Sequence, residues 1–114
     1  MDERERRLAE NEVLFREVNE RTKDVNERWS GRPAAAPPFQ IVCECGQPDC
    51  ALPLQVGADV YEEVRAHGAR FLVARGHERP DVERVVAEHE GVNVVEKLGE
   101  SKPYVTGLDP RSRS

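Results

Sequence analysis

The sequence predicts an α+β protein: a long N-terminal helix, a Pro- and Ala-rich linker, and a small domain of β-strands with one short helix. Three observations carry that expectation. Residues 2–29 contain neither Pro nor Gly. From Phe39 to Leu98, short β-branched runs alternate with Gly and Pro turns. All three cysteines fall within one short stretch, Cys43 to Cys50, around Gly46 and Pro48.

Residues 1–29 read as an amphipathic helix rich in Glu, Arg, Leu and Val. Leu8, Phe15, Val18, Val25 and Trp29, with Asn11 and Thr22 filling the gaps, recur at alternating spacings of three and four, a heptad-like seam. Acid-before-base pairs (Glu3 with Arg7, Glu12 with Arg16, Glu17 with Arg21, Asp24 with Arg28) support it at i,i+4. Such a seam suits docking: a coiled coil in a homodimer, or a helix laid into the groove of a protein partner. Packing of the same stripe on its own domain is an equal alternative. Gly31 and Pro33 then stop the helix, and 30–38 forms the linker.

Phe39-Gln40-Ile41-Val42 is β-prone and leads into Cys43. Residues i and i+2 of a strand share a face, so Cys43 and Cys45 point the same way. Gly46, Pro48 and Asp49 supply turn chemistry that brings Cys50 back to them. Three convergent thiolates form most of a zinc site, which takes four ligands in tetrahedral array. The bland alternatives are three small buried residues or a redox pair involving Cys50. For the fourth ligand the chain offers His67, His77, His89 and, less aptly, Asp49. His77 is preferred, because it follows the strand Phe71-Leu72-Val73-Ala74 and Gly76 permits a sharp turn. His67 sits at a helix end and His89 at a hairpin tip between Glu88 and Glu90.

The remaining elements follow from local pattern. Leu52 to Val56 alternates as a half-buried strand, and Pro53 places it at an edge. Asp59 is read as an N-cap with Glu62 as its capping-box partner, opening a short helix that ends near His67 and Gly68. Arg70–Ala74 is a strand. Val82–His89 fits a helix or a strand; its β-branched content and the Glu90-Gly91 turn favour a strand paired with Val92–Leu98. The domain spans 39–98, and 99–114 reads as a polar, disordered tail.

Composition narrows the function classes. Of 114 residues, 38% are hydrophobic and 34% charged, so the core is thin and a structural metal is apt. The net charge of −5 argues against nucleic-acid binding, whose affinity rests on phosphate neutralisation. No apolar run spans a membrane and no signal-peptide core opens the chain, so a cytoplasmic setting is expected. There thiols stay reduced, and an odd number of cysteines cannot pair fully within one chain.

Glu10 to Arg21, Cys43-Glu44-Cys45-Gly46 with Cys50, Arg70 to Ala74 with Gly76-His77-Glu78, and Val94 to Lys97 together resemble a family of small actinobacterial proteins. That family usually carries Pro-Gly-His-Glu where this chain has Arg75-Gly76-His77-Glu78, a departure that changes the turn and keeps the histidine. The resemblance implies that helix and cysteine domain belong to one unit. It brings no activity with it.

No phosphate-cradling loop, dinucleotide fingerprint, H-E-x-x-H or deaminase signature is present. Three Cys and one His also close a zinc shell, whereas hydrolytic zinc keeps an open position. The sequence therefore points to a non-enzymatic, zinc-stabilised, zinc finger-like interaction module, regulatory in character, that docks through its N-terminal helix. A redox or metal sensor built on the cysteines is the alternative, and a nucleic-acid-binding zinc domain is weaker still.

Overall fold

The computed structural model describes residues 1–30 and 38–113, without the side chains of 26–30 and 112–113. Most of the expected linker therefore lies outside the described residues. The architecture is α+β: α1 (Glu3–Ser30), β1 (Phe39–Val42), β2 (Pro53–Val56), α2 (Ala58–Arg65), β3 (Arg70–Ala74), β4 (Glu83–His89), β5 (Val92–Lys97), α3 (Ser101–Gly107) and a terminal 3-10 turn, Pro110–Arg113.

Two antiparallel sheets form. In the first, β1 pairs β2 with Ile41 opposite Leu54 and Val42 opposite Pro53. Alternation turns Phe39, Ile41, Leu54 and Val56 into the core. Pro53 stands at the first position of its strand, where a missing N–H is tolerated. The second sheet has the order β3-β5-β4. Central β5 is buried from Val92 to Val95, and β3 from Phe71 to Ala74. The segment 82–89, open between helix and strand in the sequence, is strand β4 from Glu83. It closes on β5 through Glu90 and Gly91, the latter at φ +73°.

Three local expectations are corrected. Helix α2 begins at Ala58, so extended Gly57 is the N-cap and Asp59 lies in the first turn, complementing the dipole. Glu62 makes no capping box; it reaches Lys23 at 2.7 Å and Arg111 at 2.9 Å. The stretch expected to be a disordered tail instead folds as α3 and the 3-10 turn. Val105 is fully buried, and Arg111 forks between Glu20 of α1 and Glu62 of α2. A polar segment thus docks through ion pairs, and Pro103 is tolerated in the first turn of α3.

Helix α1 packs against β1 and α3. Asp2 caps it, accepting from the Glu5 N–H at 2.7 Å. The inward face is Ala9, Glu12, Val13, Arg16, Asn19 and Lys23, an i,i+3,i+4 stripe that is mostly polar. Each polar member finds a partner on a distant segment. Arg16 donates to the carbonyls of Gly68 (2.7 Å) and Val105 (2.9 Å) and lies 4.9 Å over the Phe71 ring. Of the expected intrahelical pairs, Glu3–Arg7 forms at 3.3 Å, while Glu12 and Arg16 turn inward instead.

Glu12 meets the Lys97 ammonium at 3.0 Å, and Lys97 also contacts Glu83 at 3.0 Å, all three buried. One ammonium serves two carboxylates. Burial outweighs the attraction of Lys97 and pushes the Glu12 carboxyl up to about 8. Between its ordinary value of 4.5 and about 8, the folded chain holds a proton at Glu12 that the unfolded chain has released. Stability therefore falls as pH rises through that window, by up to ~1.4 kcal/mol per pH unit. Urea titrations across it should give Glu12→Gln a flatter slope than wild type. Identical slopes would mean that Glu12 folds ionised.

Candidate metal centre

Strand β1 delivers Cys43 and Cys45 to one side, both buried. Gly46, at φ +84°, turns the chain, and the Cys50 N–H donates to the Gln47 carbonyl at 3.0 Å, closing a turn that returns Cys50 to the pair. The fourth group arrives from β3. Beyond Ala74, Gly76 adopts φ +93° and the His77 N–H donates to the Ala74 carbonyl at 2.9 Å. This second turn sets the His77 imidazole against the sulfurs, with Nδ1 3.6 Å from Sγ of both Cys43 and Cys50. The ligand atoms of Cys43, Cys45, Cys50 and His77 all lie within 4.8 Å of one another.

These spacings suit a tetrahedral ion. Zinc bond lengths of about 2.3 Å to sulfur and about 2.0–2.1 Å to nitrogen imply an edge of about 3.6 Å between sulfur and nitrogen. The observed separations match that edge. The donor set also fits: soft thiolates with one imidazole select zinc-like ions over hard, oxygen-loving ones. His77 would ligate through Nδ1, which leaves the ring proton on Nε2.

Burial pushes the Cys43 and Cys45 thiols up, so without a cation the protonated forms are favoured. A bound cation reverses that preference, because a coordinating thiol is deprotonated outright. Backbone donors are already aimed at the sulfurs. The Ala74 N–H donates to Cys43 Sγ at 3.1 Å, and the N–H groups of Cys45 and Gln47 face Cys43 and Cys45 respectively. Such outer-shell bonds favour the thiolate and fix its orientation.

Glu44, between the first two cysteines, points the opposite way and is fully buried. Its Oε1 accepts from Arg65 (3.0 Å) and from the Leu72 N–H (2.9 Å), and its Oε2 from Asn19 Nδ2 (2.7 Å). The Glu44 N–H in turn donates to the Leu72 carbonyl at 2.9 Å. Together with the Ala74-to-Cys43 bond, these contacts satisfy the outer rim of β3, which no strand pairs among the described residues. Asn19 also completes β1: its side-chain amide exchanges two 2.9 Å bonds with the N–H and carbonyl of Val42, as a neighbouring strand would. Little in the sequence marks these supports, since a lone Glu and a lone Asn in a charged chain resemble surface residues.

Gly46 is where the cysteine loop touches α1. A Cβ there would lie 2.8 Å from both Leu8 Cδ1 and the Leu8 carbonyl oxygen, and Asn11 donates to the Gly46 carbonyl at 3.0 Å. Gly46→Ala should cost about 2–4 kcal/mol, combining left-handed strain with the clash. Gly91→Ala, at a similar φ with open space around it, should cost only the strain. Equal losses for the two in urea unfolding would show that the close approach carries no weight.

Of the other ligand candidates, His67, His89 and Asp49 are exposed and stand outside the four-residue group. The expected docking residues divide. Val18 is 41% and Val25 50% exposed, Leu8 and Phe15 are half-buried, and the Trp29 side chain lies outside the described residues. No described helix is long and apolar enough to cross a membrane. The chain matches no protein-family model, no curated protein and no solved structure.

Proposed function

We propose that this is a zinc-stabilised, non-enzymatic protein-interaction module, regulatory in role, whose outward face of α1 engages a protein partner or a second copy. The observation that carries the zinc half is the group of three sulfurs and one imidazole nitrogen within 4.8 Å of one another, with two sulfur–nitrogen separations of 3.6 Å. Four protein ligands complete the shell, so no open position is left for a substrate or an activated water. The docking half is supported by Leu14, Val18 and Val25, at 55%, 41% and 50% exposure, which line the side of α1 away from its own domain.

The test has two readouts. Purified protein should carry about one zinc per chain, with Cys43→Ser and His77→Ala losing it. Val18→Glu with Val25→Glu should keep the zinc and the fold yet abolish concentration-dependent mass or capture of the partner. Metal-free native protein would refute the first half. Undiminished association of the double variant would refute the second.

One observation favours a second reading, a redox sensor. A groove lined by Cys45, His77, Glu78 and Arg79 opens directly onto the ligand set. Thiolates reached by peroxide would be oxidised to a disulfide, with release of the ion. Zinc release at low peroxide, reversed by reductant, separates this reading from a purely structural site.

A further inference from the structure

Arg79 lines three hollows, one beside the cysteine loop and two along the first turns of α1. The first opens on the metal ligands. The last, towards the start of α1, carries Asp2, Glu5 and Asp81. The middle one differs in charge. It encloses about 220 Å³, and its walls include Arg4, Arg7, Arg79, Asn11 and Gln47 but no carboxylate. Three arginines line it in a chain whose net charge is −5.

Arg4 and Arg79 make no side-chain ion pair among the described residues. Arg79 has a buried Nε with no hydrogen-bond partner, an orphan donor of a kind that native proteins seldom leave. Its nearest buried counter-charges, Glu12 and Glu83, are already held by Lys97. Arg7 meets Glu3 at 3.3 Å with both side chains largely exposed, a contact that competes weakly. The backbone of Gly46 and the exposed side chain of Gln47 close the opposite wall.

We infer that this hollow binds the phosphoryl group of a small anionic ligand, gripped by Arg4, Arg7 and Arg79 beside the cysteine loop. Guanidinium groups match phosphate oxygens in planar, bidentate fashion. The volume admits one or two phosphoryl groups. The inference does not rest on a partner for α1, because Arg79 lies outside that helix, although Arg7 stands one heptad before Leu14 on the face that carries Val18 and Val25.

Pyrophosphate is the probe, titrated calorimetrically into the full chain after its metal content has been measured. Saturable binding is expected, weakened about tenfold by Arg79→Gln and by Arg4→Gln. Arg84→Gln, on exposed β4, should bind as wild type does. Arg4 is exposed on the first turn of α1, so Arg4→Gln decides the matter if Arg79→Gln disturbs folding. ADP run in parallel distinguishes the source: tighter binding than pyrophosphate assigns the site to a nucleotide, equal binding to a free phosphate. Absence of saturable binding, or an equal effect of all three substitutions, overturns the site.

Discussion

Cys43→Ser is expected to leave the chain without cooperative structure at neutral pH, and a strong chelator should do the same to wild type. Cys43 is fully buried, touches His77, and receives the Ala74 N–H that finishes the rim of β3. On the zinc reading proposed above, removing its sulfur breaks the ion's shell and leaves the Ala74 N–H only a shorter, differently placed hydroxyl to donate to. Structural zinc contributes about 10–16 kcal/mol in small zinc-dependent domains, whereas whole domains are stable by only about 5–15 kcal/mol. On the proposed zinc reading, the loss is thus of the same order as the stability of a whole domain. Circular dichroism during stepwise chelation should show one transition that tracks zinc release. A chelated protein that still melts cooperatively at the wild-type temperature would make the ion dispensable.

Glu44→Ala is the second large effect, and it separates the fold from the ion. The substitution removes the carboxylate from Arg65, the Leu72 N–H and Asn19 Nδ2, leaving Arg65 only the Arg70 carbonyl and Asn19 only that of Val42. Breaking a buried ion pair on one side costs about 3–5 kcal/mol, because the remaining charge stays uncompensated. Glu44→Gln, which keeps the shape and an acceptor but loses the charge facing Arg65, should fall between. Both variants should still bind zinc, since Glu44 faces away from the four ligands. Urea unfolding with zinc saturating is the measurement. A loss below about 1 kcal/mol for Glu44→Ala would place the weight of the Arg65 contact on the Tyr61 and Phe71 rings it covers at 5.4 and 5.9 Å.

The metal group was legible from short-range rules. Strand alternation aligned Cys43 with Cys45, turn residues returned Cys50, and Gly76 after an apolar strand singled out His77. The strands were legible for the same reason: β3 carries the apolar run Phe71–Ala74, β5 carries Val92, Val94 and Val95, and Glu90-Gly91 marks the hairpin. Helix α1 was legible as a helix but not in its orientation. Hydrophobic periodicity points to Val18 and Val25, which are exposed, whereas the buried stripe is Glu12, Arg16, Asn19 and Lys23. A pattern rule assumes that what is buried is apolar. Here the inward surface is satisfied by hydrogen bonds to groups that only the tertiary fold supplies. Residues 101–113 escaped notice for the same cause, because Arg111 acquires its meaning from Glu20 and Glu62.

The inward stripe of α1 also bears on how the chain is made. Asn11, Arg16 and Lys97–Glu12 join partners 35, 52 and 85 residues apart. The helix therefore leaves the ribosome well before most of the groups it will bind exist. An apolar stripe kept waiting that long would invite association with other nascent chains. A stripe of amide, guanidinium, ammonium and carboxylate stays hydrated until β5 and α3 arrive. The charge that hides the helix's inward side from a hydropathy reading is thus also what keeps that side hydrated while the chain is unfinished.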